Sequence, residues 1–440
     1  MEMKEKIEDK LKRAALSCGS FTAAFAAVTA LFFVPYLNRY GGALVSAFMP
    51  LAFLLPFIAL PLMYALIHRF SPLLFGRYHL FMPISALCAA VFFVAAFSSD
   101  GANAYSAAIV FFGMTLFASS LLIYRYTAFS VAARLGGDRV GKPRLSSVIT
   151  AVVGGAAGVG TTYGFYRYDI STMYLNSAFV LAAAFVTVAF VGYLSTFNDV
   201  PKLGGKRVQS VKSVFASFFG GMDKSVYFSS LASVTAFTVI SALSVAHTAY
   251  ILSDEIAFAV CGCIVAAFAL FYVAASKLVK RRSFGSVVCA AACLLASAAL
   301  FGASVAVKNV ALVLSAAAFC GAGGALAFRC ACLRFSTVKP RMTSGILFAL
   351  LSLTVCAAFA VALAANGICV VAGGAPHAYV YCFGFAAFAA AFGLLLAVPR
   401  FFDRGGREHM RENEDNDAPV AELGEENTQF DDNTPQKENV

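Results

Sequence analysis

Apolar residues run in blocks through residues 19–400, broken by short clusters of charge, Gly, Pro or Asn. A block of about 20 is what one helix needs to cross a bilayer. The breaks predict twelve spans, over residues 19–36, 43–67, 79–97, 105–126, 145–166, 174–197, 225–250, 255–276, 286–307, 309–333, 343–365 and 378–400. Only Lys308 and Asn309 separate the ninth from the tenth. The first block follows Lys10, Lys12 and Arg13 as a secretory signal would, but it is long and lacks a small-residue cleavage site, so it is read as a membrane helix. Pro50, Pro56 and Pro61 predict a kinked second span, tolerable where neighbours satisfy the freed carbonyls.

Composition removes the alternative of a soluble globular protein. Of 440 residues 60% are apolar and 13% charged, against about a quarter charged in soluble domains. Charge then sets orientation. With both termini inside, 30 of the 33 Lys and Arg fall on inner segments and only Arg39, Arg167 and Lys308 outside, as the positive-inside rule requires. Tyr36, Tyr40, Tyr105, Tyr163, Tyr166, Tyr168, Tyr174, Tyr250, Tyr379 and Tyr381 gather at the same outer ends, where interfacial anchors belong. The 12 cysteines sit mostly inside apolar runs of the second half, so no disulfide framework is expected. The tail 403–440 carries 12 of the 23 acidic residues, and 408–440 is too polar to offset chain entropy, so it is expected to be disordered. The organisation is a cytoplasmic segment 1–18, a six-helix half 19–197, a basic cytoplasmic loop 198–224, a second six-helix half 225–400 and a cytoplasmic tail 401–440.

Two echoes point to duplication. Lys142-Pro143-Arg144-Leu145-Ser146-Ser147-Val148-Ile149 opens span five, and Lys339-Pro340-Arg341-Met342-Thr343-Ser344-Gly345-Ile346 opens span eleven. After span two, Arg69 leads to Phe75-Gly76. After span eight, Lys280-Arg281-Arg282 leads to Phe284-Gly285. A six-plus-six parallel repeat with inner loops marked at these junctions resembles the major facilitator transporters. Within them the chain is most similar to the glycoside, pentoside and hexuronide to cation symporters. Pro61-Leu62-Met63 to His68-Arg69 and Gly76-Arg77-Tyr78-His79 resemble that family's second loop. Tyr126-Thr127-Ala128-Phe129, with Asp138 to Arg144-Leu145-Ser146-Ser147, resembles its fourth-helix pattern, and Gly19-Ser20-Phe21 its Gly-Asp-Phe. The resemblance implies an all-α integral membrane protein of twelve transmembrane helices in two pseudo-symmetric halves. It implies a solute site between the halves near the midplane, and Na⁺ or H⁺ as coupling ion. The acidic cation ligands of those symporters are replaced here by Ser20, Pro56, Leu60 and Ile123.

The residues lead to the same gap. Between the termini the acids are Asp100, Asp138, Asp169, Asp199, Asp223, Asp254 and Glu255, each at a span edge or in a loop. Intramembrane charges are costly and usually functional, so a cavity without carboxylates suits a neutral solute held by hydroxyls. On span seven Ser230, Ser233, Phe237, Ser241, Ser244 and Thr248 fall within about 60° of one line at helical spacing. This makes a hydroxyl stripe with one aromatic that could stack on a sugar. The competing reading is that these small residues let helices pack closely and bond to their own backbone. Ser20 and Thr22 of span one are assigned to the same cavity. His247, near the outer end of span seven, is the candidate proton site, with a structural histidine as the alternative. Arg69, Arg77, Arg125, Arg144, Arg281, Arg329 and Arg341 line the inner face as a candidate cytoplasmic gate, or as contacts to anionic headgroups. The glycines of spans five and ten serve close packing or sliding.

Cys261/Cys263 and Cys330/Cys332 point apart on a helix, so no metal site is expected. No cofactor or nucleic-acid partner is expected either. Paired carboxylates, histidine clusters and phosphate loops are missing from the sequence, which argues against an enzyme. The expected function is a monomeric plasma-membrane secondary transporter of a small polar, sugar- or glycoside-like solute. A lipid or amphiphile mover of the same fold and a non-transporting membrane sensor are the alternatives.

Overall fold

The computed structural model describes residues 32–40, 43–69, 80–99, 103–136, 145–169, 171–196, 224–278, 285–336, 344–371 and 379–396, and all of them fall within one compact unit reaching to Val398. Every regular element among these residues is helical. In chain order they are α1 (32–40), α2 (Ala43–Leu54 and Pro56–Arg69), α3 (Phe81–Phe97), α4 (Ala104–Gly136), α5 (Leu145–Tyr168), α6 (Met173–Thr196), α7 (Lys224–Ile251), α8 (Asp254–Leu278), α9 (Gly285–Val307), α10 (Val310–Ser336), α11 (Ser344–Val371) and α12 (379–396). Among the described residues nine helical spans are long and apolar enough to cross a membrane, and α3 is a shorter apolar helix. The central loop and the C-terminal tail lie outside the described residues.

Three boundaries depart from the apolar pattern. α2 is interrupted at Leu55, just before Pro56, yet the turn stays bonded: Leu55 N–H reaches the Leu51 carbonyl at 3.2 Å and Ala59 N–H the Leu55 carbonyl at 3.2 Å. The proline that cannot donate is thus carried in a tightened turn. α4 continues to Gly136, well beyond the apolar run that ends near Tyr126, because backbone hydrogen bonding does not stop where apolar side chains do. α11 continues to Val371 through Asn366 and Gly367, a pair that reads as a helix end in the sequence. Between α9 and α10 the chain turns at Lys308, with φ of 41°. There Lys308 N–H bonds the Ser304 carbonyl at 3.0 Å and Asn309 Oδ1 caps Ala311 N–H at 2.8 Å.

In lipid, helices associate through close packing rather than water exclusion, so small residues decide who neighbours whom. α3 packs on α4 and α6, and α10 packs on α7, α8 and α9. A Cβ at Gly113 would lie 2.9 Å from the Ala96 amide nitrogen, so α4 touches the α3 backbone there. In α10, Ala316, Ala317, Cys320, Gly321, Ala322 and Ala325 are all buried, and a Cβ at Gly321 would meet Ala267 of α8 at 2.8 Å. The first six helices meet the last six through α2 and α4 against α11, and α5 against α8.

The tyrosine belt divides. Tyr105, Tyr168, Tyr250 and Tyr381 are exposed, as interface anchors should be, whereas Tyr36, Tyr174 and Tyr379 are buried inside the bundle. For these three the expectation of a lipid-facing anchor is corrected. Tyr36 lies 5.2 Å from Tyr174 and 4.7 Å from Phe97, ring centre to ring centre, so aromatic packing between helices takes the place of the lipid interface.

Candidate functional site

Among the described residues, side-chain contacts between the two sets of six helices include a group at the end where α1 passes into α2. Phe33 of α1 and Phe53 of α2 both meet Phe359 of α11, with ring centres 6.4 and 4.8 Å apart. Closer to the end, Asn38 and Asn366 exchange hydrogen bonds: Asn366 Nδ2 donates to Asn38 Oδ1 at 2.7 Å and Asn38 Nδ2 donates to Asn366 Oδ1 at 3.3 Å. Tyr379 Oη of α12 donates to Asn366 Oδ1 at 3.0 Å and accepts from Asn38 Nδ2 at 3.2 Å. A side-chain amide carries donors and an acceptor together, so two of them can satisfy each other across an interface without charge. One residue on, a Cβ at Gly367 would lie 2.8 Å from the Ser46 carbonyl, so α11 touches the α2 backbone.

The α5–α8 contact closes the other side of the same end. Phe258 of α8 packs on Tyr163 and Tyr166 of α5, and on Phe32 of α1, with ring centres 5.4, 5.1 and 5.4 Å apart. Arg167 pairs with Glu255 at 3.0 Å, both side chains more than half exposed.

Away from that end burial along α4 changes. Tyr105, Phe112 and Leu116 are exposed on α4 and lie within about 20° of one line at 100° per residue, which marks the lipid face. On the opposite face Ala107, Met114 and Ala118 are buried, but Leu121, Arg125 and Ala128 are partly exposed. This second group lies on the side of α4 opposite the lipid-facing residues. On α11 Phe359, Leu363 and Asn366 are buried and Cys356 is partly exposed, while Ser352, one turn beyond Cys356 on the same face, is buried again.

The residues singled out in the sequence distribute as follows. Ser20, Thr22, Arg77, Arg144, Arg281 and Arg341 lie outside the described residues, and Arg69 closes α2. On α7, Ser241 Oγ donates to the Thr238 carbonyl at 3.1 Å, Ser244 Oγ to the Ser241 carbonyl at 2.9 Å and Thr248 Oγ1 to the Ser244 carbonyl at 2.7 Å. Ser230 and Ser233 are buried with no hydrogen-bond partner among the described residues. Phe237 is engaged by Phe268 of α8 and Phe328 of α10, at 5.7 and 5.9 Å between ring centres. His247 is buried among Phe301, Tyr379 and Phe383, with ring centres 6.2, 5.5 and 5.2 Å away. Ser304 Oγ donates to the Phe301 carbonyl at 2.6 Å and lies 3.0 Å from His247 Nε2, within hydrogen-bond distance. The ring stands beside the Tyr379 of the amide cluster. Arg329 of α10 is buried, with its guanidinium carbon 5.7 Å from the centre of the Tyr272 ring.

The amide cluster escaped the sequence reading. The apolar pattern ends span one at residue 36 and span eleven at residue 365, which leaves Asn38 and Asn366 just outside the predicted helices. An asparagine within a helical turn of an apolar block is itself a signal, since its amide needs a partner in lipid.

No family model matches the chain, and no curated protein sequence matches it. Solved structures do. A bacterial homologue of the iron transporter ferroportin, in an outward-facing state, aligns over 89% of this chain and 98% of its own, with a TM-score of 0.57 and 13% identity. The nucleoside transporter NupG aligns over 88% and 98%, with a TM-score of 0.58 and 11% identity. The E. coli fucose:proton symporter FucP aligns over 88% and 98%, with a TM-score of 0.53 and 16% identity. Such likeness speaks for architecture: the chain is an all-α polytopic membrane protein with a major-facilitator-like fold.

Proposed function

We propose that the protein is a secondary transporter that moves a small polar solute, sugar- or glycoside-like, across the plasma membrane by alternating access. The observation that carries this reading is the asymmetry of the interface. At the α1–α2 end the halves are joined by the amide cluster and aromatic contacts, while farther along α4 the face turned from lipid is partly exposed at Leu121, Arg125 and Ala128. A joined end with a looser inner face beyond it supports one of the two states that alternating access requires. The pairing of α2 with α11 and of α5 with α8 supports two pseudo-symmetric six-helix halves, because exchanging the halves exchanges these two contacts. With cytoplasmic termini, favoured by the Lys and Arg distribution, the closed end faces outward and the passage opens to the cytoplasm.

Ser230 and Ser233, whose hydroxyls lack partners among the described residues, are the α7 groups with hydrogen bonds to offer a solute. Ser241 and Ser244 keep an acceptor lone pair. A proton-coupled cycle would use His247, and Na⁺ coupling would rest on hydroxyls and carbonyls. Liposomes carrying the purified protein should show saturable counterflow of a sugar, sugar acid, glycoside or nucleoside-like solute. No flux across such a panel removes the reading, and flux competed by lysolipids but not by sugars replaces it with an amphiphile transporter.

A further inference from the structure

Arg125, a candidate gate residue by sequence, falls within the membrane-spanning stretch Ala104–Ala128 of α4. Arg125 lies about 180° around the helix from the lipid-facing residues Tyr105, Phe112 and Leu116, so its side chain cannot reach a headgroup along the lipid face. It sits where the inward face changes from buried to partly exposed, with Leu121 and Ala128 one turn either side. Cys356 of α11, on the other set of six helices, interacts with it electrostatically. Arg125 makes no hydrogen bond or ion pair with a described residue. The described carboxylates Asp169, Asp254 and Glu255 belong to the turns between α5 and α6 and between α7 and α8, at the closed end. A guanidinium stays charged in proteins and presents a planar fork of donors that matches carboxylate or phosphate oxygens two at a time. Inside a membrane such a charge is expensive unless something compensates it.

We infer that Arg125 is an oxyanion-binding residue of the solute passage, and that the transported solute carries a carboxylate or phosphate group docked on its guanidinium. This rests on the transporter reading and narrows it from a polar solute to an acidic one. Arg329 does not share the role, because its guanidinium is already laid against Tyr272 and directed to the Tyr272 carbonyl at 3.5 Å. An anion between α4 and α11 would touch both halves at once, so its arrival and departure would be felt at the interface that must open and close.

The test compares matched pairs on the full-length protein in phosphatidylcholine nanodiscs: glucuronate against glucose, glycerol 3-phosphate against glycerol, and inorganic phosphate against chloride at equal ionic strength. Thermal shift gives the binding curve, and counterflow in liposomes is run in parallel. At least one anion should give a saturable shift that its neutral or chloride partner does not. Arg125→Gln should weaken that binding by about tenfold or more, the loss expected for hydrogen bonds to a charged group, and Arg125→Lys should retain part of it. The ligand-free melting curve of each variant reports folding separately. Flat titrations with all the anions, or an anion shift that survives Arg125→Gln, overturn the site. If in those cases a neutral sugar still flows, the transporter reading stands without it. Anion binding that is lost in Arg125→Gln while no solute crosses keeps the site and sinks the transporter.

Discussion

The polar groups of α7 and those shared by α1, α11 and α12 answer the same problem in opposite ways. Each must place hydrogen-bonding atoms among apolar helices, where an unpaired group is costly. Ser241, Ser244 and Thr248 turn back onto carbonyls three or four residues earlier, a solution open to any hydroxyl on a helix. Asn38 and Asn366 pair with each other across the two halves, with Tyr379 completing the set. A hydroxyl can therefore be satisfied at home, and its periodicity says little about what lies opposite. A side-chain amide has more to satisfy and points to an interface.

Breaking the amide cluster should have the largest effect. Asn366→Leu leaves the Asn38 amide and the Tyr379 hydroxyl short of partners, at a cost of about 1–3 kcal/mol to the closed end. That corresponds to a shift of about 5–150-fold toward opening. Spin labels replacing the exposed Tyr105 and Tyr381, in a cysteine-free background, would report it as a longer distance component, and an unchanged distribution would contradict the latch. Gly367→Ala should act in the same direction but less, about 1 kcal/mol, because the new Cβ would lie 2.8 Å from the Ser46 carbonyl. The same labels should show it.

Glu255→Gln removes the Arg167 pair at that end. With the two side chains 60% and 55% exposed, water already screens the attraction, so the expected loss is about 0.2–1 kcal/mol and should vanish in high salt. Comparing melting temperatures at low and high ionic strength decides it. Ser244→Ala sharpens the contrast from the other side: its hydroxyl serves only its own helix among the described residues, so melting should move by under about 0.5 kcal/mol. A larger loss would mean that the hydroxyl bears on packing.

The smallest effect should come from acid. Asp169 accepts from the Ser171 and Thr172 hydroxyls at 2.7 Å each, and these bonds hold its carboxyl below the ordinary carboxylate range. A depressed value means that its contribution is present above the ordinary carboxylate pKa and is lost as pH falls through the lower folded one. Since the group is fully exposed, melting curves of the protein and of Asp169→Asn should run together even as pH falls from about 4 to about 2, across that window.

Among the described residues the helix order was legible because lipid imposes one rule on every span: apolar outside and backbone bonded within. The turn at Lys308 and Asn309 was readable for the same reason. The continuation of α11 through Asn366 and Gly367 was not, because both are ordinary end signals, and what overrides them is a partner about 330 residues away in sequence. Tyr36 and Tyr379 read as membrane anchors, since a tyrosine at a span end looks alike whether lipid or another ring receives it.

By itself the sequence determined that the chain is a multi-span bundle, where its helices begin to within a turn or so, and that no carboxylate sits at the centre of a predicted span. Those properties depend on side-chain chemistry summed along a local stretch, which a linear pattern contains. Only the tertiary structure decided which polar groups bond within a helix and which bond between halves, and that Arg125 lies opposite the lipid-facing residues of α4. These depend on the rotation of each helix against its neighbours, set by small-residue contacts such as Gly367 on Ser46 and Gly113 on Ala96, and no local pattern encodes that rotation.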